Sequence, residues 1–162
     1  MGGIVQQSGN VTPGHLAKWV TSGVIADAGP LGASQRVLAV LQGADFNSAQ
    51  DQPLNIPNTV RAFQLTGLIV TNASTSLTTA VGGFYPQFSK AGSAIVAAGQ
   101  IYSALTGANL LLNATLTAFA LSARFSSALL PTSQIIFSLT TPQGAPATAD
   151  IYAVGIDLTI GS

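Results

Sequence analysis

The sequence predicts an all-β fold, an antiparallel β-sandwich or jelly-roll-like domain preceded by an extended N-terminal arm. Three observations predict it. From residue 61 onward, apolar residues recur at every second position between clusters of Gly, Pro, Asn, Asp, Ser and Thr, as in half-buried strands joined by turns. Only 6% of the residues are charged and none is Glu, so Ser, Thr, Asn and Gln must carry the polar surface, and these side chains favour strands and turns over the solvent faces of helices. With 162 residues, 48% of them apolar, the chain has enough to bury one core and too little for two full domains.

Residues 1–57 read as the arm. Pro13-Gly14, Ser22-Gly23, Gly29-Pro30, Gly32, Gly43, Pro53 and Pro57 punctuate it, leaving extended pieces at 16–24 and 36–41 but no autonomous core. Trp19-Val20, Val24-Ile25 and Val37-Leu38 would be sticky if left free, so the arm is expected to dock on its own domain, a neighbouring protomer or another protein. A segment that orders on binding needs large anchors to offset its lost entropy. Leu16, Trp19 and Ile25 are the partner-binding candidates, with Trp19 foremost.

Residues 58–162 read as the sandwich. Phe63, Leu65, Gly67 and Ile69 alternate with Ala62, Gln64, Thr66 and Leu68 up to the turn cluster Thr71-Asn72-Ala73-Ser74. In 77–88, Gly82-Gly83 marks a hairpin turn or a bulge, and Pro86 marks an edge or a strand end. The alanine-rich stretches 94–105 and 110–121 also fit helix, but Thr, Ser and Asn at every second or third place favour strand. Ile135, Phe137 and Leu139 form a strand that Thr141-Pro142-Gln143-Gly144 turns, and the last strand, 150–160, carries Tyr152, Val154, Ile156, Leu158 and Ile160 on one face. The total is seven or eight strands, the count of a sandwich or jelly roll.

The titratable residues argue against an enzyme. His15 is the only histidine and lies in the arm, where nothing in the sequence supplies a rigid cleft for a Ser-His-Asp arrangement. Of the five Asp residues, Asp150 and Asp157 are an odd number of residues apart, so a regular strand points them to opposite faces, whereas a glycosidase needs two carboxyl groups facing each other. The run from Asp45 to Asp51 places oxygen ligands at relative positions one, three and seven but lacks the remaining calcium-loop ligands and the bidentate Glu, so it reads as turn residues. Phe84, Tyr85, Phe88 and Tyr102 could line a sugar-binding groove, but burial in the core or in a protomer interface is the favoured reading. No cofactor is implied.

Lys18, Arg36, Arg61, Lys90 and Arg124 are scattered singly, which excludes the basic cluster that nucleic acid requires. No Cys is present, no apolar run exceeds six residues, and no basic segment precedes an apolar stretch, so neither a membrane span nor a secretory signal peptide is expected. Zero formal net charge gives little repulsion between copies, so the surface is expected to be partly covered in a homo-oligomer, most simply a trimer.

Two stretches carry a resemblance. Gln7-Ser8-Gly9-Asn10-Val11-Thr12-Pro13-Gly14-His15-Leu16-Ala17-Lys18-Trp19-Val20-Thr21-Ser22-Gly23-Val24-Ile25-Ala26-Asp27-Ala28-Gly29 resembles an N-terminal arm motif of assorted phage structural proteins. Val70-Thr71-Asn72-Ala73-Ser74-Thr75-Ser76-Leu77-Thr78-Thr79-Ala80-Val81-Gly82-Gly83-Phe84-Tyr85, with Leu139-Thr140-Thr141-Pro142-Gln143-Gly144-Ala145-Pro146-Ala147-Thr148-Ala149-Asp150 downstream, is similar to a β domain of small phage and prophage proteins of poorly defined role. The resemblance implies a virion component, assembled in the host cytoplasm, without saying which; the preferred expectation is a capsid decoration or head-fibre protein bound to the major capsid protein or another virion protein. The alternatives are a tail or baseplate adaptor, a short tail fibre, and a carbohydrate-binding receptor module. It carries no catalytic residues.

Overall fold

The structure, a computed structural model, describes residues 6–8, 15–21, 24–30, 35–60, 63–117 and 134–158, and divides into two compact units, Met1–Ser34 and Gln35–Ser162. All elements described are β-strands, and among the described residues no helix is long and apolar enough to cross a membrane.

In the first unit, β1 (Gln6–Ser8), β2 (His15–Thr21) and β3 (Val24–Pro30) form a separate three-stranded sheet in the order β1-β3-β2. β2 and β3 are antiparallel neighbours, whereas β1 runs parallel to β3.

The second unit is the sandwich. One sheet contains β4 (Gln35–Asp45), β6 (Phe63–Thr71), β9 (Leu111–Ala114) and β11 (Thr148–Asp157) in the order β4-β11-β6-β9. The other contains β5 (Gln52–Asn55), β7 (Val81–Tyr85), β8 (Val96–Ile101) and β10 (Gln134–Thr141) in the order β5-β10-β7-β8. Every pairing within them is antiparallel. Counted along the chain, the eight strands lie as first-eighth-third-sixth and second-seventh-fourth-fifth, the paired Greek keys of a jelly roll.

The sandwich therefore starts at Gln35, not at 58, and the boundary expected at 57 moves upstream. β4 contributes Leu38, Ala39 and Ala44 to the core, and Phe46, Leu54 and Ile56 follow from the next segments. The sequence hid both strands for physical reasons. β4 changes register twice against β11, which breaks its alternation, and β5 has only four residues, one of them Pro53, tolerated because β5 is a sheet edge.

Strand β6 departs from the expected phase. Phe63 and Leu65 point inward, but a register shift against β11 leaves Thr66 unmatched, so Leu68 and Val70 are buried while Ile69 turns outward. Gly82 and Gly83 lie inside β7, not at a hairpin turn, and the pairing with β8 shifts between Gly82 and Phe84. The two ambiguous stretches contain β8 and β9, the rest of their described residues being turns and connections and none of them helix, and 118–121 lies outside the described residues.

At the centre of the core, Phe137 packs against Phe46, Phe84 and Tyr102 with ring centroids 4.9, 5.1 and 6.1 Å away. Phe46 also meets Tyr102 edge to face at 5.1 Å. The sandwich is pinned at both flanks. Between β4 and β5, the Asp45 amide donates to Gln52 Oε1 (2.7 Å) and Gln52 Nε2 donates to the Asp45 carbonyl (2.8 Å). Between β8 and β9, Val96 bridges to Leu116, the Thr117 amide donates to the Ile95 carbonyl (2.9 Å), and Thr117 Oγ1 donates to the Ala94 carbonyl (2.7 Å).

Burial pushes the Tyr102 phenol well above its ordinary value, with the neighbouring Tyr85 adding to the shift, while its hydroxyl donates to the Gly82 carbonyl at 3.3 Å. A folded pKa above the unfolded one means that Tyr102 releases its proton more readily on unfolding. Its contribution is fully present below about pH 10 and is lost as pH rises from there through the folded pKa. Tyr102→Phe is therefore expected to be near neutral at pH 7 and to melt above wild type at pH 11. Parallel loss of melting temperature in both proteins between pH 9 and 11 would remove Tyr102 as the source.

Candidate interaction surface

The three expected anchors lie on the first unit's sheet. Trp19 in β2 stands opposite Ile25 in β3, and Leu16 falls where the pairing shifts between His15 and Ala17. Their side chains, like that of His15, lie outside what the structure describes.

The carboxylates of the sandwich are spent on holding the fold. Asp150 and Asp157 lie seven residues apart on one strand, about 23 Å at ~3.3 Å per residue, far beyond the separation a carboxylate pair needs across a sugar. Asp157 is ion-paired with Arg36, while Asp150 accepts from the Gly43 amide (2.8 Å) and Asn72 Nδ2 (2.9 Å). Asp45 Oδ1 accepts from the Asn47 amide at 2.7 Å and Asp51 accepts from the Ser89 amide, so the two ends of the 45–51 run cap turns. Lys90 Nζ donates to the Leu139 carbonyl at 3.0 Å. Every charged side chain described in the sandwich thus has a partner within the chain, and the described residues contain no group of three metal-ligating acids or histidines.

The four aromatics that could have formed a groove do not share a surface. Phe84, Tyr85 and Tyr102 are buried, and only Phe88, in the connection from β7 to β8, is half exposed.

What is left open among the described residues is mostly uncharged and in part apolar. On the outer face of the β4-β11-β6-β9 sheet, Val40, Tyr152, Ile69 and Asn113 are register partners across all four strands, flanked by the row Val37, Val154 and Gly67 and the row Gln35, Ile156 and Gln64. The Tyr152-Val154-Ile156 face of the last strand is this outer face. The core takes the opposite one, Ala149, Ile151 and Ala153. Among the described residues, the exposed large hydrophobics are Val37 (50%), Val40 (42%), Phe88 (50%), Ile101 (58%), Leu110 (41%) and Leu111 (58%).

Four of these six lie on or directly beside β4 and β9, the two edges of one sheet. The sequence contained a usable signal: in Leu110-Leu111-Leu112 a strand's alternation cannot bury all three, and only Leu112 packs on the core. Comparisons with protein-family models, with curated proteins and with solved structures found no match.

Proposed function

We propose that this chain is a non-enzymatic phage virion structural protein, a capsid decoration or head-fibre subunit that oligomerises and binds the major capsid protein. What supports the reading most is a jelly roll whose described charges all have partners within the fold and whose described surface is otherwise uncharged with an apolar part, a surface suited to many modest protein contacts. The N-terminal motif adds the virion context, with Leu16, Trp19 and Ile25 as its anchors. A tail or baseplate adaptor is the second reading, supported by the same motif.

The copy number per particle separates the two. On the order of hundreds of copies follows from decoration of a capsid lattice, and on the order of ten from a tail ring. Attachment is tested by adding intact and Trp19→Ala protein to particles lacking the protein and counting copies that co-sediment. Truncating an aromatic anchor costs about 2 to 4 kcal/mol per site, so capture by the variant is expected to fall at least tenfold. Equal capture, with the sandwich of the variant still folded, removes the anchor role.

A further inference from the structure

We infer that residues 86–92, in the connection from β7 to β8, form a latched strap over the outer face of the β5-β10-β7-β8 sheet, held shut by Asp51 and Lys90 and able to lift while the sandwich stays folded. The strap belongs to the sandwich alone, so it stands whether or not the chain is a virion component.

Register places the strap. Ile135, Phe137 and Leu139 of β10 enter the core, so Ile136 and Ser138 between them face away from it, yet both are buried. Ile136 is the register partner of Pro53 in β5 and of Tyr85 in β7, and Ser138 is the partner of Gly83. Gln52, the first residue of β5, pairs with Phe137, which sets Asp51 level with Ser138 on the side of β10 away from β7. The chain leaves β7 at Tyr85, but the Ser89 amide donates to the Asp51 carboxylate and Lys90 Nζ donates to the Leu139 carbonyl at 3.0 Å. These two contacts carry the segment across β10, over Ile136 and Ser138. Burial and the nearby Asp51 carboxylate both hold the Tyr85 phenol above its ordinary value, in keeping with their meeting on this face.

The strap is strained where it is latched. Ser89 and Lys90 are consecutive non-glycine residues, each with φ of +58°, in the left-handed region that side chains disfavour. Below it, the Ser138 hydroxyl is buried with no hydrogen-bond partner among the described residues. Lifting relaxes both backbones and brings that hydroxyl to water, so the two latches and the burial of Ile136 and Tyr85 are what oppose it. The tip adds little hold, since residues 87–90 are exposed and Phe88 keeps half its surface in water. The base need not break: the Ile95 amide donates to the Phe84 carbonyl at 2.7 Å, closing the β7-β8 ladder beneath the strap. A segment so placed opens at a lower free energy than the whole domain. Its lifting uncovers an apolar strip, Ile136 and Tyr85, that the closed sandwich hides.

The chain has no Cys, so introduced thiols report on opening. Ser138→Cys places a thiol beneath the strap, and Val70→Cys places one in the main core. Both full-length variants are labelled with an aromatic disulfide reagent at rising urea below the unfolding transition. The Ser138→Cys thiol is expected to react at least about a hundredfold faster than the Val70→Cys thiol, at a rate nearly independent of urea, because a lifting strap exposes little surface. Added to Ser138→Cys, Asp51→Ala and Lys90→Ala are each expected to speed labelling about tenfold by removing a latch. Ser89→Gly is expected to slow it several-fold, since it keeps the amide and removes left-handed strain. Hydrogen exchange needs no thiol: in wild-type protein the Ser89 amide is expected to exchange faster than the Ile95 amide, and faster still in Asp51→Ala.

Equal labelling of the two thiols, with the full urea dependence of unfolding, overturns the strap. So do Ser89 and Ile95 amides that exchange at one rate. Fast labelling of Ser138→Cys that neither Asp51→Ala nor Lys90→Ala changes overturns the latch.

Discussion

Phe137→Ala is expected to remove about 4 kcal/mol of stability, the largest effect of any single truncation in the sandwich. Phe137 is fully buried and is the ring that touches all of Phe46, Phe84 and Tyr102, so its loss opens a cavity bordered by three rigid side chains that cannot collapse without moving both sheets. Against a typical total of about 5 to 15 kcal/mol, that brings the fold close to its threshold. In a thermal melt the midpoint should drop by about 12 to 20 °C, with Phe137→Leu dropping by less than half as much. A drop below about 5 °C for the alanine variant would show that the rings are not the centre of the core.

Gly83→Ala is expected to cost about 3 kcal/mol, although it only adds a methyl group. A Cβ at Gly83 would stand 2.4 Å from the Val96 carbonyl oxygen and 2.9 Å from the carbonyl carbon and oxygen of Ala97, and all three atoms are backbone. No side-chain rotation relieves such a contact, so β8 must move away from β7 or the methyl group must distort β7 itself. Gly99→Ala is the control: nothing lies within 4 Å of its Cβ position, and its melting point is expected to stay close to wild type. Chemical denaturation of the two variants side by side checks the contrast, and equal midpoints would place the close approach of β7 and β8 in doubt.

These two sites show what the sequence revealed and what it concealed. The fold class was legible because alternation and turn residues agree over 134–141 and 148–157, where strands β10 and β11 appear within a few residues of their expected places. The phase within a strand was less legible, because a bulge is a tertiary event: nothing in Leu65-Thr66-Gly67-Leu68 announces that the ladder with β11 skips Thr66, whose hydroxyl instead donates to the Val154 carbonyl. The glycine pair was visible as a special place, but a turn and a close approach both call for glycine, and only the packing of β8 on β7 separates them.

The interaction surface was the least legible part. Val37, Val40 and Leu111 are aliphatic like Leu38 in the core and like Leu41 and Leu112, which pack against it. Which of each set faces water depends on register, and register in β4 depends on a strand more than a hundred residues downstream. The carboxylates of the 45–51 run were more legible, since too few calcium ligands were present for a loop and the turn reading agrees with the backbone amides that Asp45 and Asp51 accept from.

The pairing of β4 with β11 also governs when this domain can form. Asp45 lies beside Thr148, so the first strand of the sandwich finds its hydrogen-bonding neighbour only in the last, and β6 pairs with that same β11 on its other side. On a ribosome adding about 5 to 20 residues per second, β4 and β6 would emerge and wait for seconds before their common neighbour appears, with apolar strands on display. Loop closure over so long a separation is slow even for the finished chain, in the range of milliseconds to seconds typical of sandwich topologies. Crowded synthesis therefore favours capture of β4 by the wrong molecule before its own β11 arrives, and the two register shifts along β4 act against that capture by making it a poor template for a generic strand.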